Sequence, residues 1–237
     1  FSEAHPGIGQ ENIRPKSIAR EMFENFRTFS DYINDYELQR AEGVLLRHLS
    51  GVHKVLAQTV PENSKTEPVQ EMEAWIAGVL RGTDSSLLDE WERMRDPNFK
   101  PDEVEEKPAE APDITRNKRE FTALIRTEIF RFLRPLSVEN YAAAAATVSS
   151  SFTAETLAAL MEPYYAEHER IRLDNEARNG RHTYVKPSED NTAWNICQVL
   201  IDPEELNDWQ AEFTVGLAQA REDGKPTLVL KSVGKIG

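Results

Sequence analysis

Between residues 36 and 61 the chain reads YELQRAEGVLLRHLSGVHKVLAQTVP, and two stripes are superposed on it. Leu38, Leu45, Leu49, Val52 and Leu56 recur at helical spacing and mark a face that seeks a core. Arg40, Arg47 and Lys54 recur every seven residues on roughly the opposite face. The pattern predicts a helix that resumes after Ser30 and runs to about Gln58, with Gly43 and Gly51 as weak points and Pro61 as its stop. Upstream, Ile18, Met22, Phe26 and Phe29 share one helical face behind Pro15, whose missing N–H costs nothing at a helix start. Downstream, Met72, Trp75, Ile76, Val79 and Leu80 predict an amphipathic helix over 67–81 that ends at Gly82. A fourth helix, SSLLDEWERM over 85–94, takes Asp84 or Ser85 as its cap. Trp75 and Trp91 fall in the apolar stripes and read as packing residues.

The pattern then breaks. PNFKPDEVEEKPAEAP is acidic, proline-rich and almost without residues to bury, so it reads as a linker. Helical periodicity returns over 116–133, 138–148 and 153–171. From Arg181 the period changes to two, and 182–186, 194–201, 210–217 and 227–233 read as strands separated by turn residues. The expected class is α+β: a helical bundle over 1–96, a linker over 97–115, and over 116–237 three helices with a four-stranded antiparallel curved sheet. That element order resembles the cone of nuclear transport factor and its ketosteroid-isomerase-like relatives, without the hairpin those proteins carry before the third helix.

Composition narrows the functional classes. In 237 residues, 39% hydrophobic and 29% charged, the formal net charge is −13, which argues against a general polyanion binder. Nucleic-acid contact, if present, belongs to a local basic face. The single cysteine, Cys197, excludes an internal disulfide and a cysteine-built zinc site, and suits a reducing, cytoplasmic setting. No apolar run approaches the roughly 20 residues of a membrane span. The chain starts at Phe1 and ends in a short basic tail at Lys231 and Lys235, and is read as the C-terminal piece of a longer protein.

Longer words carry a family resemblance. ENIRPKSIAREMFE (11–24), AEGVLLRHLSGVHKVLAQTVP (41–61), DSSLLDEWERMRDP (84–97), PYYAEHERI (163–171) and CQVLIDPEELNDWQAEFTVGLA (197–218) resemble an uncharacterised domain. It is the domain that follows the two RecA-like domains of certain bacterial DEAD/DEAH-box superfamily-two helicases. Glu204 to Leu206 stand before Asn207 and Asp208 where that resemblance leads one to expect a shorter loop. The resemblance implies a parent that uses ATP and Mg to move along RNA or DNA, with this chain as an accessory region partnered by its own helicase core. The chain itself has no G-x-x-x-x-G-K-[ST] phosphate loop and no D-E-A-D or D-E-x-H box, so it is not expected to bind or hydrolyse ATP by itself. The family region carries no established catalytic residues.

Three groups are candidates for function. The Arg40, Arg47, Lys54 row is either a solvated helix face or a row that touches phosphates. Arg116, Arg119 and Arg126, continued by Arg131 and Arg134, lie opposite Phe121, Ile125, Ile129 and Phe132; they read as surface solvation, as nucleic-acid contacts, or as docking onto the acidic first half. In a cone, Tyr164, His168, Trp194 and Asp208 would line the mouth, where a tyrosine, a histidine and a carboxylate can move protons. The plainer reading makes Tyr164 and Trp194 core and His168 a satisfied histidine. His48 and His53 are five apart and poorly aligned for a shared metal, H-E-x-x-H is absent, and no metal site is expected. A further reading is a scaffold module whose cone receives a protein segment or small ligand.

Overall fold

The structure is a computed structural model and describes residues 15–83 and 113–237. The lead-in 1–13, the helix expected over 85–94 and the linker sequence 97–112 lie outside the described residues. Among the described residues, eight α-helices and four strands follow in order: α1 Pro15–Glu24, α2 Phe29–Asp35, α3 Glu42–Thr59, α4 Glu67–Thr83, α5 Lys118–Leu136, α6 Tyr141–Ala146, α7 Ala154–Glu167, β1 Thr183–Pro187, β2 Ala193–Leu200, β3 Trp209–Gly216, α8 Leu217–Asp223 and β4 Val229–Lys235. The fold is mixed α+β, as the change of period at Arg181 indicates. None of the described helices is long and apolar enough to cross a membrane.

The helix expected after Ser30 is two helices. α2 stops at Asp35, Glu37 adopts a left-handed φ of 53°, and the Leu38 N–H closes back on the Ile33 carbonyl at 2.8 Å. A 3-10 turn, Gln39–Ala41, then leads into α3. The break lets the chain reverse, so that Tyr32 and Ile33 of α2 and Leu45, Leu49 and Val52 of α3 all reach one core. The apolar stripe of the sequence is that buried face, with Leu38 and Leu56 packed at its margin.

The strands form an antiparallel meander, β1-β2-β3-β4. Along β3, Trp209, Ala211, Phe213 and Val215 are buried and alternate with half-exposed Gln210, Glu212 and Thr214, the period-two signature of a sheet with one covered face. α5 lies across that face: Phe121 meets Trp194 edge-on at 4.9 Å and Phe132 meets Phe213 at 5.6 Å between ring centres. Tyr164 of α7 covers the other end, edge-on to Trp209 at 5.4 Å.

The apolar core is continuous from Ala19 and Met22 through Trp75 and Leu80 of α4 to Phe121, Phe132 and the inner sheet face. Ile114, just before α5, is fully buried within it. α4 and α5 also share a buried ion pair, Arg81 Nε to Glu120 Oε2 at 2.8 Å. At the end of α4 the backbone of Gly82 meets that of Gly224 so closely that a Cβ on Gly82 would fall 2.5 Å from the Gly224 carbonyl oxygen. Gly224 itself ends α8 at φ 65°, where only glycine is unstrained.

Candidate nucleic-acid interface and the His168 cluster

α3 presents Arg47, exposed, and Lys54, half-exposed, two helical turns apart and about 10 Å along the axis. Arg40 is exposed too but sits in the 3-10 turn before α3, so the seven-residue row is helical only from Arg47 onward. Among the described residues none of these three side chains has an ionic or hydrogen-bonded partner. The opposite face of α3 supplies Leu45, Leu49 and Val52 to the core, which fixes the rotation of the helix and turns the cations outward.

The arginines of α5 have other occupations. Arg126 is buried; its guanidinium lies 2.7 Å from Glu71 Oε1 of α4 and also donates to the Arg178 carbonyl. Burial pushes the Glu71 carboxyl above its usual range and lowers Arg126, while their mutual attraction opposes both shifts. Arg131 joins Asp31 of α2 (3.1 Å) and Glu128 (2.8 Å). Arg134 donates to the Asn25 carbonyl at 3.3 Å, and exposed Arg119 to Gln70 at 3.3 Å. Arg116 is exposed and its side chain has no partner among the described residues. The face read as basic is thus largely a clasp onto α2 and α4, and Arg116 and Arg119 are its outward members.

Of the residues proposed for a cone mouth, the fold brings three together. His168 caps the C-terminus of α7 and is buried, its ring 4.8 Å from that of Tyr164. Its Nε2 lies 3.1 Å from Asp208 Oδ1 at the start of β3. The fully buried Tyr164 hydroxyl donates to the Arg170 carbonyl at 3.1 Å. Burial, reinforced by Asp202, Glu204 and Asp208, pushes that hydroxyl well above its usual range. Trp194 stands apart: it pairs with Val215, whereas the cluster adjoins the Leu200–Trp209 pair, six residues and about 20 Å along β2. Trp209 takes the place beside Tyr164 that the sequence reading gave to Trp194.

Four further residues, Lys235, Glu167, Glu204 and Asp202, complete this cluster. Lys235 Nζ bridges Glu167 Oε2 (2.7 Å) and Asp208 Oδ2 (3.6 Å). On the other ring edge, His168 Nδ1 faces Glu204 Oε2 at 3.4 Å and Asp202 Oδ1 at 3.9 Å. The ligand atoms of His168, Asp202 and Glu204 lie within 4.8 Å of one another, as do those of Glu167, His168 and Asp208. The signal in the sequence was DPEELND, an acidic turn between two strands, which reads as a loop until the α7 terminus is placed against it.

Comparison with known proteins places the chain in a family without adding an activity. No curated protein matches it, and no solved structure matches it. The family model described as "Domain of unknown function (DUF3516)" matches residues 1–233, so this chain belongs to that family.

Proposed function

We propose that the chain is an accessory region of an ATP-dependent RNA or DNA helicase and that the outward face of α3 lies along a nucleic-acid backbone. The observation that carries this reading is the contrast between the two basic rows: Arg126 and Arg131 are held by carboxylates, whereas Arg40, Arg47 and Lys54 are turned outward with no protein partner among the described residues. Unpaired cations on a rigidly packed helix are suited to phosphates, which a charge of −13 would otherwise repel. Backbone contacts position a strand without reading its bases, so sequence preference is slight. In this reading ATP and Mg belong to the helicase core, and the chain braces that core or guides the strand leaving it.

The test is binding of a fluorescent single strand, RNA and DNA in parallel, across a series of salt concentrations. Replacing Arg40, Arg47 and Lys54 together by glutamine leaves the apolar face of α3 intact and keeps helix propensity. The slope of log K against log salt then flattens by about 2 to 3. Arg116→Gln with Arg119→Gln is the comparison. An unchanged affinity and slope in the triple variant would reduce the α3 row to a solvated surface.

A further inference from the structure

We propose that His168 Nδ1, Asp202 and Glu204 form a binding site for a divalent transition-metal cation of the zinc class, at the junction of α7 with the β2–β3 loop. The inference is independent of the nucleic-acid reading.

The ring nitrogens of His168 have different surroundings. Nε2 meets Asp208 Oδ1 at 3.1 Å, and we take the tautomer in which Nε2 donates to that carboxylate. Nδ1 then carries a lone pair. The side chain is fully buried, and Nδ1 makes no hydrogen bond. It nevertheless lies beside Glu204 Oε2 and Asp202 Oδ1, 3.4 and 3.9 Å away. A buried nitrogen lone pair beside the buried carboxylate of Asp202 and the half-exposed one of Glu204 is repulsive unless positive charge lies among them.

The protein supplies that charge on one side only. Glu167 and Asp208 share Lys235. Among the described residues no lysine or arginine pairs with Asp202 or Glu204. Asp202 is buried and its two oxygens accept the Leu206 and Asn207 N–H groups at 3.0 and 2.6 Å, which fixes the carboxylate without neutralising it. Glu204 accepts the Glu169 N–H through Oε1 and leaves Oε2 toward the histidine.

The spacing suits a small cation. Bonds of about 2.0–2.1 Å in a tetrahedron put ligand atoms roughly 3.3–3.4 Å apart. The Nδ1–Glu204 separation of 3.4 Å meets this, and the Glu204 side chain, 37% exposed, has room to close the remaining edges. A carboxylate behind the ligating imidazole, here Asp208, is the usual outer support of such a site. One imidazole with two carboxylates favours zinc-type ions over magnesium or calcium, which prefer all-oxygen shells. Three protein ligands leave the fourth position open on the Glu204 side.

The experiment is calorimetric titration of the untagged, chelator-treated chain with zinc chloride, repeated with cobalt(II) to read visible absorption. One equivalent is expected to bind, cobalt giving a tetrahedral spectrum and zinc raising the Tm. Glu204→Gln, at a partly exposed position, keeps the fold by circular dichroism and weakens binding at least about tenfold. Asp202→Asn removes binding, and Glu167→Gln leaves it unchanged. The proposal is overturned if the wild-type chain shows no saturable binding, or if folded Glu204→Gln binds with wild-type affinity.

Discussion

At the scale of single residues, equal spacing hides unequal environments. Arg47 and Arg126 look alike in the sequence, each a cation opposite an apolar stripe. One is exposed on α3 and the other is buried between α4 and α5 against Glu71. Arg126→Ala takes the ion-pair partner from half-buried Glu71, with the charge of Arg178 still acting on it, and is expected to cost about 1–3 kcal/mol in urea denaturation. Arg47→Ala should stay within about 0.5 kcal/mol. Glu128 offers a pH test. Its carboxyl is raised by burial, against the opposing pull of Arg131. A group raised in the folded state contributes most below its unfolded pKa, about 4.3, and that contribution is lost as pH rises through the folded value. Glu128→Gln removes this dependence, and Arg131 keeps Asp31 as partner. Stability measured from pH 4 upward should therefore fall further in the wild type than in the variant. Three of the four cone residues came together, yet the reason was invisible in the sequence. Asp202 and Glu204 approach His168 only through a loop whose Glu205 and Asn207 take φ values of 60° and 51°, which residue type does not announce.

Elements were legible where one face is covered and less so at their ends. The alternation of β3 and the stripe of α3 are consequences of burial, and both were written in the sequence. Pro61 and Gly82 do mark the ends of α3 and α4, but other helix stops were not legible. α1, α2 and α5 each close with an N–H that reaches back five residues: Arg27 to Met22, Leu38 to Ile33 and Asn140 to Pro135. The left-handed position in each closure is Phe26, Glu37 or Glu139, where glycine is the usual signal. Phe26 is held there by stacking on Phe130 at 4.9 Å, with the Arg178 guanidinium over its ring, 4.4 Å from the ring centre. Glu139 is exposed. Relief of its left-handed strain, about 1–2 kcal/mol, outweighs the extra unfolded-state entropy of glycine, about 0.5–1 kcal/mol. Glu139→Gly is therefore expected to raise stability by roughly 0.5–1 kcal/mol, read as a higher denaturation midpoint; a lower midpoint would contradict the strain. α8 follows β3 directly, with Gly216 alone as last strand residue and helix N-cap, so the strand reading runs on to Leu217.

At the scale of the molecule, the two halves distinguished by composition share their interior. Besides the common core, Glu67 of α4 accepts Asn179 Nδ2 at 3.0 Å and the Gly180 N–H at 3.3 Å, and Arg178 donates to the Phe23 carbonyl at 3.1 Å. The composition of 97–112 carries no information about such contacts, which join residues more than a hundred positions apart. We expect one cooperative thermal transition, coincident by near- and far-ultraviolet circular dichroism. A protease cut within 97–112 should leave fragments that elute together; two separate transitions, or fragments that part, would mean the halves are autonomous. Cys197 adds something practical. It sits in the middle of β2 opposite Glu212, half-buried, its thiol donating to Gln210 and pushed up by burial. A thiol so placed is a slow nucleophile. As the chain's single sulfhydryl, and half-exposed, it gives one native attachment point for a spectroscopic probe on the outer face of the sheet, without any engineered label.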